Sequence, residues 1–506
     1  MRTKQAMKNA VTSIFLQLVL ALSGIIVPRF FITLYGSAVN GLVSSISQFI
    51  TYINLVEAGI SAAGTVALFK PMADNDIKST NGIMAAANKF YRQSGMIFSA
   101  LIVLLVIFYP FAVVNEITDV GFIRTMIAVL AISGLVDYFM LGKYRMLLTA
   151  DQRGYIVYIA QILGTVLMTV VSIVMMELNF SALAVKGVAA AIYILRSVAV
   201  VIYARRHYKG LSFKEKPDMA AFDQRWAALV HQITGMVVTN SAIILLTLMV
   251  ERDALVAVSI YNTYNLVAWA LASVITAIQS GLSAGFGQII SNKEYDVLKK
   301  SYSTYEYLCY VFVFIVYACM GVLLYPFIKI YSIDFADAAL YPQWSIVLFF
   351  TLSGFLQAMR MPPQTLINSA GHYKETRSRA IIETAINLTV SLVLVKPLGI
   401  VGVLIASCAS HAYRLIDVII YSEKYFISGT IKNTLLRIVR NAAALGLAVW
   451  AGVSLIPSDC TGWISWFVSA VVFGVCACVV FIAVNVIFEP QEAKATLQRV
   501  KDIIKK

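Results

Sequence analysis

Charged residues stand inside long apolar runs, where charge is costly, among them Arg29, Glu57, Asp137, Arg196, Arg360, Glu383, Arg414 and Asp417. A charge at bilayer depth costs about 2.5–3.5 kcal/mol even on a lenient insertion scale. It persists by facing a wet cavity, by pairing, or by snorkelling to the interface. The residue types present allow two chemistries. Arginine offers a planar fork that grips phosphate oxygens in two places. A carboxylate takes up a proton or holds a cation, which suits ion coupling. Arg29, Arg196, Arg360 and Arg414 are therefore candidates for binding an anionic group in a cavity, and Glu57, Asp137 and Glu383 for ion coupling or for its polar wall. Each has a structural alternative. Arg29, Arg196 and Arg414 can snorkel to a span end. Arg360 precedes Pro362-Pro363 and can satisfy carbonyls freed by a broken helix. Asp137 and Glu383 can simply partner an arginine, and Asp417, one helical turn past Arg414, can neutralise it. His231 and His411 read as polar packing rather than as ligands.

The elements that position these residues are membrane spans. The chain has 506 residues, 60% of them hydrophobic and 13% charged, with mean hydropathy +0.80. That composition excludes a soluble domain. Fourteen spans are predicted, near 10–35, 40–69, 92–114, 121–147, 155–177, 181–204, 226–250, 254–290, 303–330, 341–366, 378–396, 399–422, 434–456 and 462–488. The net charge of +14 lies in alternate loops. One set is basic (Lys70, Lys78, Lys89, Arg92; Lys143, Arg145, Arg153; Lys374, Arg377, Arg379; Arg437, Arg440), and the other is short and leans acidic (Glu116, Asp119; Glu251, Asp253; Asp334, Asp337). The positive-inside rule puts both termini of this multi-pass chain in the cytoplasm. An even number of spans requires the same. The charge surplus is thus a topology signal that also holds anionic lipid, and no nucleic-acid partner is expected. The first apolar run is too long for a signal peptide and reads as an uncleaved helix. The six cysteines lack metal-ligand spacing and read as small hydrophobes. No metal and no cofactor is expected. Walker A loop and nucleophile elbow are both missing, so the chain reads as a non-enzyme driven by a gradient or by exchange.

The chain also repeats itself. Glu57-Ala58-Gly59-Ile60-Ser61-Ala62-Ala63-Gly64 resembles Gln279-Ser280-Gly281-Leu282-Ser283-Ala284-Gly285-Phe286, displaced by 222 positions. Arg196 to Tyr203 matches Arg414 to Tyr421, displaced by 218, and Leu147 to Ala150 matches Leu366 to Ser369, displaced by 219. An all-α integral membrane protein of fourteen transmembrane helices follows. Its expected domains are a six-helix bundle over 1–210, a second over 211–430, two additional helices over 431–490, and a basic amphipathic tail over 491–506. Six spans per half, an even number, relate the bundles by a pseudo-twofold axis along the membrane normal. Residues 205–225 are the expected linker, and 70–91 an interfacial helix. Paired bundles with a site at the bilayer midplane are the general plan of a secondary transporter.

Arg29 followed by Tyr35-Gly36-Ser37-Ala38-Val39-Asn40-Gly41-Leu42, then Leu55-Val56-Glu57-Ala58-Gly59-Ile60 and a basic loop, resembles the Wzx-type polysaccharide flippases. These belong to the multidrug/oligosaccharidyl-lipid/polysaccharide exporter superfamily. The resemblance implies transfer of undecaprenyl-pyrophosphate-linked sugar units from inner to outer leaflet by alternating access. It implies a cationic cavity for the headgroup, with the lipid tail left in the bilayer. Arg29 and Glu57 match the family pattern best, and the other charges rest on the residue argument alone. Implied partners are the lipid-linked oligosaccharide, membrane lipids and polysaccharide-assembly proteins around a monomer. Three other readings stand beside this one: a MATE-like exporter of cationic drugs, which favours acidic cavity walls; a membrane glycosyltransferase or polysaccharide polymerase, which needs larger outer loops; and a lipid-II-type flippase for cell-wall precursor, which only the identity of the bound glycan separates.

Overall fold

A computed structural model of the protein describes residues 2–222, 236–237, 240–455 and 462–504. Every regular element among them is helical. Their contacts divide the chain into two compact units, Met1–Ser259 and Ile260–Lys506.

The first unit opens with α1 (Arg2–Tyr35), α2 (Ser37–Ile53) and α3 (Ala58–Ala73). Helix α1 stops because Gly36 takes φ 84°, ψ 166°, backbone space that is essentially reserved for glycine. A 3₁₀ turn, Asn54–Glu57, separates α2 from α3. Next come α4 (Ile77–Val113), α5 (Val120–Val136), α6 (Gly142–Ala150), α7 (Gly154–Glu177) and α8 (Ala182–His207). A π turn, Asp137–Leu141, joins α5 to α6, so that the two make one membrane-length helix. The short α9 (Asn240–Met249) and the first turns of α10 (Ala254–Ser291) complete the unit. Its core runs through Phe31, Ile46, Met84, Phe98, Met126, Met146 and Phe222. Helix α2 meets the start of α10 through Gly41, where a Cβ would stand 1.8 Å from the Leu255 carbonyl oxygen. There the Glu116 carboxylate accepts from the Ala254 and Leu255 amides at 2.6 and 2.9 Å, capping the otherwise unsatisfied N-terminus of α10. Burial pushes the Glu116 carboxyl above its ordinary range, against the two amide donors that favour its charge.

The second unit continues with α11 (Tyr295–Tyr331), α12 (Trp344–Met359), α13 (Met361–Ser369), α14 (Tyr373–Leu398) and α15 (Ile400–Tyr425). It ends with α16 (Ile431–Leu455), α17 (Trp463–Phe488) and α18 (Pro490–Ile504). Buried Arg437 ties these last helices to α11. It bonds Glu306 Oε2 at 2.8 Å and Glu489 Oε2 at 2.6 Å, while Glu492 accepts from Ser303 Oγ at 2.7 Å. The tail helix is thus anchored by its first turn. Glu489 loses solvation in this network, but bonds from Arg437 and Arg440 outweigh that loss and hold its carboxyl below the usual range.

The internal repeat appears as matched helix lengths. Helices α4 and α11 have 37 residues each and start 218 positions apart. Helices α8 and α15 have 26 each, again 218 apart, and α6 and α13 have 9 each, 219 apart.

Two expectations change. Among the described residues twelve helices are long and apolar enough to cross a membrane, against the fourteen spans expected of the whole chain. The span expected at 40–69 is cut by the 3₁₀ turn into two shorter helices, and most of the span expected at 226–250, with His231, lies outside the described residues. The interfacial helix expected at 70–91 is instead the end of α3, a turn, and the start of α4. Asp76 caps α4, accepting from the Ser79 amide at 3.0 Å, and Ile83, Met84 and Tyr91 are already buried. The stretch expected as the linker is held by the first unit: Asn81 donates to the Gly210 carbonyl and accepts from the Ser212 amide, and Phe222 is fully buried.

The Gly41 contact is with backbone, which cannot move aside. Gly41→Val is therefore expected to abolish the monodisperse peak in fluorescence-detected size-exclusion chromatography. Gly187→Ala, where a Cβ meets nothing within 4 Å, is expected to keep that peak and its melting temperature.

Candidate functional site

Most of the expected residues gather into two clusters, one in each unit. In the first, the 3₁₀ turn places Glu57 with its side chain 13% exposed. Its Oε1 accepts from Tyr91 Oη at 2.9 Å and from Arg145 Nη2 at 3.0 Å. The other arm of Arg145 lies 3.5 Å from Asp137 Oδ2, and Asp137 Oδ1 accepts from Tyr193 Oη at 2.8 Å. One guanidinium therefore bridges two carboxylates, and each carboxylate has a phenol as second donor. Tyr138 Oη donates to the Asn54 carbonyl at 3.2 Å, satisfying a main-chain oxygen beside the 3₁₀ turn.

The π turn explains how Asp137 and Arg145 meet. In a straight α-helix, residues eight apart stand about 80° apart around the axis. The turn absorbs one extra residue and brings them onto one face. Arg196, on α8, stacks on the Tyr193 ring at 4.2 Å. Beside it a cavity of about 270 Å³ opens among α6, α7 and α8, lined by Arg145, Arg196, Tyr158, Gln161 and Tyr193.

In the second unit the helix breaks at Arg360, between α12 and α13, with Pro362-Pro363 in the first turn of α13 where proline costs no hydrogen bond. Arg360 Nη1 donates to Glu383 Oε1 at 2.5 Å. Arg414 Nε lies 3.6 Å from Glu383 Oε2, and its Nη1 donates to Asp417 Oδ2 at 2.9 Å. Arg379 also pairs with Asp417 and lies over the Tyr421 ring. His411, 5% exposed, sits with Nδ1 3.5 Å from Glu383 Oε1. Among these ion pairs three guanidiniums thus meet two carboxylates, a surplus of one positive charge, whereas in the first cluster a single guanidinium, Arg145, meets two carboxylates. Arg414 and Glu383 are 5% and 6% exposed, so this charge is poorly hydrated and strongly felt.

Arg29 takes no part in the bonds described for either cluster. It lies on α1, partly buried, with its carbonyl accepting from Thr33 Oγ1 at 2.9 Å. Arg145 and Arg379 were counted from sequence as loop cations, because the apolar stretch ends near each; their helices run on past that point. The only sequence signal for Arg145 is its spacing from Asp137, which means nothing until the π turn is known. Glu306, 1% exposed on α11, also escaped notice although it lies inside an expected span.

No sequence-family model matches the chain, and no curated protein matches it by sequence. Solved structures do. One is the lipid II flippase MurJ in an inward-closed conformation, at TM-score 0.70 and 13% identity, covering 94% of this chain and 98% of that one. A multidrug resistance MATE family transporter of the MOP superfamily, inward-facing, matches at TM-score 0.58 and 12% identity over 84% of this chain and 99% of that one. A mutant of the Vibrio cholerae MATE transporter VcmN matches at TM-score 0.55 and 14% identity over 85% of this chain and 98% of that one. The chain therefore has the fold of these membrane transport proteins.

Removing Arg145 leaves Glu57 and Asp137 facing each other without a cation, the costly way to break such a pair. Arg145→Gln is expected to lower the melting temperature in detergent, and Arg145→Lys to recover little, because one ammonium cannot span both carboxylates as a fork does. Adding Glu57→Gln to Arg145→Gln is expected to restore part of the loss, with a coupling of about 1–3 kcal/mol in a double-mutant cycle.

Proposed function

We propose that this protein is a flippase that carries an undecaprenyl-pyrophosphate-linked oligosaccharide from the inner to the outer leaflet of a bacterial cytoplasmic membrane, for polysaccharide biosynthesis. The observation that carries this reading is the positive surplus of the Arg360–Glu383–Arg414–Asp417–Arg379 cluster at membrane depth. A pyrophosphate cannot enter hydrocarbon unaided, because its charges lose their hydration. Guanidiniums with more positive charge than their carboxylates neutralise supply a replacement shell. Arg360 and Arg414, with Arg29, take the headgroup in this reading, and the tail stays in the bilayer.

The first cluster serves ion coupling. Glu57 and Asp137 compete for one guanidinium, so taking up a proton or a cation at either changes how Arg145 is shared. A gradient acts through such a site when one conformation prefers the loaded form. Glu383 is the corresponding carboxylate of the second unit. Supporting the whole is the fold shared with a protein described as a lipid II flippase. Alternating access of two six-helix bundles, a monomeric state, cytoplasmic termini and an association with polysaccharide-assembly proteins complete the proposal. The competing reading is a MATE-like exporter of cationic compounds. It draws on the same fold likeness and on the two carboxylates that share Arg145 in the first cluster, but a surplus of arginine in the second would repel its cargo.

Reconstitution separates the two. In proteoliposomes, wild-type protein is expected to move a fluorescent polyprenyl-pyrophosphate oligosaccharide, with Arg414→Gln, Arg29→Ala and Glu57→Gln each at least roughly tenfold slower while inserting normally. Unimpaired transfer by all three, or uptake of a cationic dye in place of the lipid, would refute the assignment.

A further inference from the structure

We propose that the first unit also carries a site for an anionic membrane phospholipid, its phosphate held at Arg196 in the cavity among α6, α7 and α8 and an acyl chain lying in the groove between α7 and α8. Two adjoining spaces carry the inference. The first is the polar cavity of about 270 Å³ beside Arg145 and Arg196. The second is an apolar groove of about 360 Å³ walled by Leu163, Leu167 and Leu195. They share Ala160, Arg196 and Val200, so Arg196 stands at the junction of a polar chamber and an apolar channel. An amphiphile with an anionic head has that shape and that order of chemistry.

Arg196 is prepared for an anion. Arg145, Arg360, Arg379 and Arg414 each hold a carboxylate. Among the described residues no carboxylate pairs with Arg196, whose partner is the face of Tyr193. A ring face occupies one side of a guanidinium and uses none of its N–H donors, which stay available to an anion. The space is kept by Gly164, where a Cβ would stand 2.6 Å from Arg196 Cδ. Tyr158 and Gln161 line the same chamber and make no hydrogen bonds with the described residues, so neutral donors are available for ester or headgroup oxygens.

The groove faces the bilayer. Leu163 and Leu195 are 66% and 63% exposed, and α7 and α8 are membrane-length helices, so acyl chains already cover this surface. What Arg196 adds is selection for a lipid whose head is negative. A chamber below about 300 Å³ is smaller than most drug-sized sites and admits a phosphate with its glycerol, not an oligosaccharide. The site is therefore separate from the cargo path, and its existence does not depend on what the cargo is.

Native mass spectrometry of the full chain, released from detergent supplemented with phosphatidylglycerol or phosphatidylcholine, tests this. One phosphatidylglycerol is expected to bind in preference to phosphatidylcholine. Arg196→Gln is expected to weaken it roughly tenfold with phosphatidylcholine unaffected, and Arg196→Lys to recover part of the binding. Leu163→Trp, which fills the groove at a distance from the charge, is expected to weaken phosphatidylglycerol as well, and it carries the test if the arginine variant does not fold. Equal binding of the two lipids overturns the proposal, as does undiminished binding in a folded Arg196→Gln or Leu163→Trp protein. Displacement by millimolar inorganic phosphate would show a simple ion site, and displacement by equimolar polyprenyl pyrophosphate would return the site to the cargo; either result overturns it.

Discussion

A guanidinium inside a bilayer-crossing helix bundle is tolerable beside a carboxylate, and this pairing constrains the rest of the molecule. Removing two charges from water is costly, and their attraction compensates only when geometry is good and the remaining donors are used. The clusters meet that demand differently. Around Arg145, two carboxylates, each also bonded by a phenol, share one cation. Around Glu383 and Asp417, three cations converge on two anions. A site richer in carboxylates responds most to their loading, whereas one richer in guanidiniums attracts a mobile anion.

The backbone departs from regular helix where these residues sit. Glu57 closes a 3₁₀ turn, Asp137 opens a π turn, and Arg360 is the hinge between α12 and α13. A regular α-helix fixes angular spacing at 100° per residue, which leaves little choice of which side chains face one another. Each irregularity resets that spacing. Irregular backbone also frees main-chain oxygens, which at membrane depth need donors; Tyr138 serves Asn54 in this way. Charge placement and backbone irregularity are therefore one design problem, met three times.

Sequence made the membrane class, the internal repeat and the depth charges legible, because all three follow from local composition and simple displacement. Glu57, Asp137, Arg360, Glu383 and Arg414 stood out as charges in apolar runs, and the structure places every one of them in a cluster. Their partners were harder to read. Arg145 and Arg379 lie where hydropathy has already fallen, so counting placed them in loops, although their helices continue. Tyr91 and Tyr193 gave no signal, since an aromatic residue in a span is ordinarily packing or interface material. The 3₁₀ turn inside the span at 40–69 leaves no trace in hydropathy. The packing of residues 205–222 has no local signal, because Asn81 and Phe90, which hold them, are remote in sequence.

Matched 37-residue helices α4 and α11 have a mechanical consequence. At 1.5 Å per residue each is about 55 Å long, against a hydrocarbon thickness of about 30 Å. Each rod is therefore several turns longer than a straight crossing needs, and the basic residues Lys78, Lys89 and Arg92 ride on the early part of α4. Within its own unit the surplus length is packed, with Met84 and Tyr91 of α4 and Leu298 and Tyr302 of α11 buried. Proteases need an extended substrate to cut, so they find little purchase on such helical ends.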